Sequence, residues 1–205
     1  MKKYVVNMCM QILLHQCCGP CSIYPIIKMQ AQGHKLTTYF FNHNIHPVQE
    51  FYKRMEGAVL VSRHYNIECI VEDYYGLTEF LRQNVYHEKE RCAYCYERRL
   101  MKTAEKAKEL NFEAFSSSLL YSKMQNHDAI IELAEKASKE YDIPFYYDDF
   151  REGWQEGIDI SKDLEIYRQN YCGCIYSEED RFLNQLSKKY SKKYSEIQGN
   201  YALVK

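Results

Sequence analysis

Two rhythms of apolar positions alternate along this chain. Short β-rich runs occupy residues 12–16, 35–41, 68–71, 114–120 and 144–148. Between them, apolar residues recur three and four positions apart over 22–32, 48–65, 77–84, 92–110 and 128–141. The first rhythm predicts strands and the second predicts amphipathic helices. In 48–65 the buried face is expected to carry Phe51, Met55, Val59 and Ser62. Two further helices are expected: 161–169, with Ser161 as N-cap, and 177–193, opened by Glu178-Glu179-Asp180, whose charge suits a helix start. Strands alternating with helices predict an α/β fold, a Rossmann-like doubly wound and mainly parallel sheet. We expect a single domain over 1–205, with residues 1–11 a poorly patterned lead-in and 182–205 a basic C-terminal helix and tail.

The 205 residues are 46% hydrophobic, enough for one substantial core. No apolar run approaches the roughly 20 residues of a membrane-spanning helix, and residues 1–10 lack the pattern of a signal peptide. A cytoplasmic monomer is therefore expected. The net charge of −1 gives no global sign of a nucleic-acid partner.

Nine cysteines change the picture. Reduced cytosolic thiols that cluster point to metal or redox chemistry rather than to disulfide staples. Cys9 and Cys69 stand alone and read as ordinary core or surface residues. The other seven form three groups. Cys17, Cys18 and Cys21 follow the first strand and open a helix, where open α/β sheets place their ligands and where the helix dipole favours thiolate. Cys92 and Cys95 form a Cys-x-x-Cys, and Cys172-Gly173-Cys174 a Cys-x-Cys. The radical-SAM spacing fails, because the third position it needs is Tyr24.

Several assignments remain open on the residues alone. Cys18-Gly19-Pro20-Cys21 has the form of a dithiol redox motif, which would give a colourless protein with a titratable disulfide. Cys92, Cys95, Cys172 and Cys174 could hold a tetrahedral zinc in a non-catalytic tRNA-binding protein. Seven thiols also exceed the four that one iron–sulfur cluster needs, leaving room for a second metal. His43 and His46 are expected in a hydrogen-bonded loop at a strand end. Arg91, Arg98, Arg99, Lys102 and Arg168 could hold phosphate, with Tyr167 and Tyr171 to stack a base, or could line solvated helix faces. The tail lysines Lys188, Lys189, Lys192 and Lys193 read as a solvated helix.

Taken together, the stretches Leu-Leu-His-Gln-Cys-Cys-Gly-Pro-Cys-Ser (13–22), Tyr-Phe-Phe-Asn-His-Asn-Ile-His-Pro (39–47), Arg-Cys-Ala-Tyr-Cys-Tyr-Glu-Arg-Arg-Leu (91–100), Ser116 to Lys123, Asp149-Phe150 and Tyr-Arg-Gln-Asn-Tyr-Cys-Gly-Cys-Ile-Tyr-Ser (167–177) resemble the QueH-type epoxyqueuosine reductases. Gly19 stands where alanine is common in that family and His43 where proline is common, and neither departure is expected to disturb ligation. Position 21 is aspartate in some members, which suits a metal ligand.

The resemblance implies a sheet of the nucleotide α-hydrolase type; Cys17 to Ser22 stands where that superfamily has its Ser-Gly-Gly-x-Asp-Ser loop, so the likeness in fold does not carry ATP use with it. It implies reduction of the epoxide of epoxyqueuosine to the alkene at the tRNA wobble position, the final step of queuosine formation. It also implies a [4Fe-4S] cluster with an adjacent mononuclear iron and no cobalamin, and two partners, the tRNA anticodon loop and an electron donor. On this basis Cys17, Cys92, Cys95 and Cys172 are expected to hold the cluster and Cys18, Cys21 and Cys174 the single iron. Asp149 and Tyr171 are the candidate proton donors.

Overall fold

The protein, a computed structural model, is described here over residues 9–197. The parts of the expected lead-in and tail at 1–8 and 198–205 lie outside the described residues. The elements run β1 (Gln11–His15), α1 (Gly19–Ala31), β2 (Lys35–Phe40), α2 (Val48–His64), β3 (Glu68–Val71), α3 (Leu77–Asn84), α4 (Arg91–Glu109), β4 (Ala114–Ser117), α5 (His127–Tyr141), α6 (Trp154–Asp163) and α7 (Ile175–Ile197).

Four parallel strands form one sheet in the order β3-β2-β1-β4. The chain steps outward from β1 to β2 to β3, then crosses back to the far side of β1 for β4. Right-handed crossovers in opposite directions place α1 and α2 on one face and α4 on the other. Accordingly α1 packs on α2 and α6, while α4 packs on α5 and β1. The reversal of strand order falls between β1 and β4, and the crevice beyond their C-terminal ends is the switch point of the sheet. Ile12, Leu13, Leu14, Tyr39, Phe41 and Phe115 are fully or almost fully buried at its centre.

The expected α/β class and parallel sheet are present, with local corrections. The run 144–148 is not a strand. It contributes one isolated bridge, Phe145 beside Phe115, with Phe115 N–H donating to the Pro144 carbonyl. Pro144 has no N–H, so it donates nothing to a ladder. The run 114–120 is a strand only to Ser117 and then tightens into a 3₁₀ turn, Ser118–Tyr121, capped by the Ser117 side chain. The helix expected at 161–169 lies earlier, at Trp154–Asp163. Ser161 is buried inside it, its hydroxyl donating to the Ile158 carbonyl instead of capping an end. On α2, Val59 is exposed, and the buried side is Phe51, Arg54, Ala58, Val61 and Ser62.

Gly19 has a specific reason to be glycine here. A Cβ at that position would lie 2.5 Å from the Gly57 carbonyl oxygen of α2. The departure expected to be neutral is thus where α1 and α2 make backbone contact.

Candidate metal centre

The core strand β1 delivers Cys17 to the switch point. Gln16 hydrogen-bonds across to β2 and Asn42, fixing the strand end: its N–H donates to the Tyr39 carbonyl at 2.8 Å, and its carbonyl accepts from Asn42 Nδ2 at 2.8 Å. Ser118, just past β4, accepts from the Cys17 N–H at 3.0 Å and donates its hydroxyl to Cys17 Sγ at 3.3 Å. Cys18 caps α1 in an extended conformation, and Pro20 in the first turn supplies a pre-set φ where no N–H is needed. Cys21 follows in the same turn. The three sulphurs lie within 4.8 Å of one another, Cys17 and Cys18 being 3.8 Å apart. Gln169 Nε2 closes the group from the other side, 3.0 Å from Cys18 Sγ and 3.7 Å from Cys21 Sγ.

These thiols shift one another's ionisation in opposite directions. Hydrogen bonds from Cys18 and Cys21, then from Ser118, hold the Cys17 thiol well below its ordinary value despite burial. Burial above all pushes Cys18 up to about 12, and the bonds that Cys21 gives to its neighbours raise it well above the usual range. Within the group the negative charge is therefore favoured on Cys17 and disfavoured on Cys18 and Cys21. A cation binding there would displace the remaining protons.

The other four grouped cysteines assemble separately. Cys92 and Cys95 occupy successive turns of α4, and Cys174 is buried against Cys95 and Phe80. Cys172 is exposed and accepts from Gln125 Nε2 at 3.3 Å. Burial, and then the charges of Cys172 and Cys174, raise the Cys92 thiol; burial raises Cys95 as well. The four are thus within electrostatic reach of one another. The seven thiols thus fall into a close trio, Cys17 beside Cys18 and Cys21, and a separate, looser group of four. Cys9 is exposed; Cys69 is half-buried, 3.6 Å from Gln16 Oε1.

Two buried arginines tie the groups together. Arg99 extends the Cys92/Cys95 face of α4 by one turn, is 3% exposed and has no carboxylate partner among the described residues. It donates to the Cys95 carbonyl and to Asn42 Oδ1, and its positive charge lowers Cys17 as well as Cys92 and Cys95. Arg54 pairs with Glu50 at 2.6 Å and donates to the carbonyls of Cys172 (2.5 Å) and Tyr171 (3.0 Å). Gly173, at φ +155°, passes within 3.2 Å of Arg54 Nη1, counted from the Cβ it lacks.

The remaining candidates fare differently. Arg91, Arg98 and Lys102 are ion-paired with Asp180, Glu79 and Glu105, whereas Arg168 is exposed. Tyr171 donates its hydroxyl to the His46 carbonyl, and burial raises its pKa, so it keeps its proton. Asp149 forms both hydrogen bonds of a fork with Arg151, which holds its carboxyl at about 2. It also caps the turn Phe150–Gly153.

The loop of His43 and His46 is hydrogen-bonded through its backbone, His46 N–H donating to the Gly173 carbonyl, but the two rings take no part in it. Both are buried among Phe41, Phe80, Tyr75 and Tyr94, and all four ring nitrogens lack a hydrogen-bond partner in the protein. Burial lowers His43 to about 3 and His46 to about 4, and lowers His15, bonded to Ser117, to about 4. Below pH 6.5 the unfolded chain binds protons that the folded chain refuses, so stability falls as pH falls. For the metal-free protein we expect a loss of about 4 kcal/mol between pH 7 and 5.5 from these three residues, about 10 °C in Tm. Calorimetry at the two pH values checks this; an unchanged Tm refutes it.

Arg54, Gln169 and Ser118 were not singled out from the sequence. Arg54 had a signal: an arginine on the same helix face as Phe51 and Ala58 is charged where the pattern asks for an apolar residue.

The family model described as "Epoxyqueuosine reductase QueH" matches residues 12–180. The chain belongs to the QueH family of epoxyqueuosine reductases. The member from Dehalococcoides mccartyi is 38% identical over 172 residues, covering 84% of this chain and 94% of its own. The QueH member from Thermotoga maritima is 32% identical over 181 residues, covering 83% and 91%. Among solved structures, the U34-tRNA thiolase NcsA from Methanococcus maripaludis with its [4Fe-4S] cluster aligns with a TM-score of 0.54 at 15% identity, over 95% of this chain and 74% of its own. A predicted subunit of a tRNA methyltransferase from Methanocaldococcus jannaschii aligns with a TM-score of 0.50 at 11% identity, over 75% and 74%. These two likenesses concern the fold. All seven grouped cysteines lie inside the QueH match, and no helix among the described residues is long and apolar enough to cross a membrane.

Proposed function

We propose that this chain reduces the epoxide of epoxyqueuosine in tRNA to the alkene of queuosine, using iron held by its seven grouped cysteines. The observation that carries the reading is the trio Cys17, Cys18 and Cys21 at the switch point of the sheet in a QueH-family chain, with buried Arg99 linking it to the second cysteine group.

The donor set fits two metal groups. Sulphurs 3.8 Å apart match the edge of a tetrahedron of thiolates about 2.3 Å from one ion, so Cys17, Cys18 and Cys21 suit a mononuclear iron. Cys92, Cys95, Cys172 and Cys174 then suit a [4Fe-4S] cluster. This keeps the seven ligands expected from the sequence but exchanges Cys17 with Cys174, because Cys17 is packed against Cys18 and Cys21. Together the groups would supply electrons one at a time and a Lewis acid for the epoxide oxygen.

The chain's own residues have distinct parts. Gln169 and Ser118 orient the trio through their bonds to sulphur. Arg99 places a buried positive charge between the two groups, where negative charge accumulates. Tyr171 retains a proton beside Cys172 and is the candidate donor to the opened epoxide oxygen. Asp149, already ionised and occupied by Arg151, supplies none. The target base belongs to an anticodon loop and is largely unpaired, which lowers the cost of bringing it into the site. Exposed Arg168, next to Gln169, is placed to meet a phosphate.

The test is iron, sulfide and zinc analysis of anaerobically purified protein, followed by turnover of tRNA carrying epoxyqueuosine with a chemical reductant. Cluster absorbance and conversion to queuosine support the reading. A colourless protein holding only zinc, inactive after cluster reconstitution, overturns it.

A further inference from the structure

The family match stops at residue 180, in the second turn of α7, but the helix continues to Ile197. The first turns of α7 are anchored. Asp180 pairs with Arg91, Tyr176 packs on Phe80, and Phe182 meets Tyr171 edge-on. Beyond them an apolar stripe remains open: Leu183 is 54% exposed, Leu186 40% and Tyr190 43%. With Glu179 and Phe182 these residues line one side of the helix. Their spacing of three and four is that of a coiled-coil seam, which becomes stable only against a second helix.

The charges along the stripe say which helix. At 100° per residue, Glu179 falls at its centre near one end and Lys193 beside its centre near the other. Both are exposed, and neither has an ion-pair partner among the described residues. An antiparallel copy of the same helix, crossing at Leu186, sets Glu179 against Lys193 twice, Phe182 against Tyr190 twice, and Leu186 against itself. A parallel copy would set like charges together. The 23 residues of α7 span about 35 Å, so the two sheet bodies would stand toward opposite ends of the pair.

We propose that α7 pairs antiparallel with α7 of a second copy of this chain, centred on Leu186, with Glu179 of each copy meeting Lys193 of the other. The contact is isologous and closes at two copies. It departs from the monomer expected from the sequence and does not rest on the reaction proposed above.

The test is sedimentation equilibrium of the full chain from about 1 to 100 μM, with four variants beside the parent. The parent is expected to move with concentration from the 24.6 kDa chain mass to twice that mass. Leu186→Glu should weaken dimerisation at least ~100-fold with unchanged helix content, because it buries two like charges at the crossing. Glu179→Lys and Lys193→Glu should each weaken it about tenfold, through two symmetric pairs, and the double exchange should restore it. A parent that remains monomeric at 100 μM overturns the proposal, as does a dimer indifferent to Leu186→Glu. Loss of tRNA binding in Lys193→Glu, with every form monomeric, assigns the stripe to RNA and overturns it too.

Discussion

Cys92→Ala protein is expected to fold and melt close to the parent but to lose the absorbance of the proposed cluster and more than ~100-fold of epoxyqueuosine reduction. Cys92 is exposed at the start of α4, so removing its sulphur opens no cavity in the core. It is one of four thiols that feel each other's charge, and replacing even a residue that orients a metal ligand commonly costs 10–100-fold. Iron and sulfide content, the visible spectrum, thermal melting and turnover are measured on the same preparation. Full cluster content with full turnover would remove Cys92 from the site. A large fall in Tm of the metal-free form would instead make its role structural.

The second large effect is on stability. Arg54→Met is expected to cost about 3–5 kcal/mol, roughly 10 °C in Tm, because it leaves the Glu50 carboxylate buried without its cation. Only the Tyr167 hydroxyl would still donate to that carboxylate. The carbonyls of Tyr171 and Cys172 lose their donor at the same time. The loop carrying Cys172 and Cys174 should therefore loosen, and iron content should fall with Tm. Glu50→Leu combined with Arg54→Met removes both charges and should recover part of the lost Tm. A single variant that melts with the parent would show that the ion pair contributes nothing net.

Much of this was legible in the sequence because it is local. The runs at 12–16, 35–41 and 68–71 have the apolar period of strands, and each is one within a residue of the expected bounds. The cysteine groups were legible as chemistry, and the place of Cys17, Cys18 and Cys21 followed from the C-terminal end of β1 in a parallel sheet. What failed depends on partners distant in sequence. Residues 144–148 have strand composition, but only Phe145 meets Phe115, and Pro144 cannot continue the ladder. Ser161 has the chemistry of a cap, yet the helix had already begun at Trp154. Val59 and Arg54 exchanged places on α2 because Glu50 and two carbonyls wait inside for a guanidinium. Arg91, Arg98 and Lys102 form a basic cluster in one dimension only; in three, each faces a carboxylate.

The contact between Gly19 and Gly57 reaches further than helix packing. Cys18 and Cys21 ride on α1, while Cys17 is pinned to the sheet through Ser118. Any side chain at position 19 would lift α1 from α2 and carry two of the three sulphurs away from the third. The spacing of two helices therefore sets how far apart the three sulphurs stand. The geometry of the trio is thus adjustable from a residue that offers no ligand of its own, by the size of a single side chain.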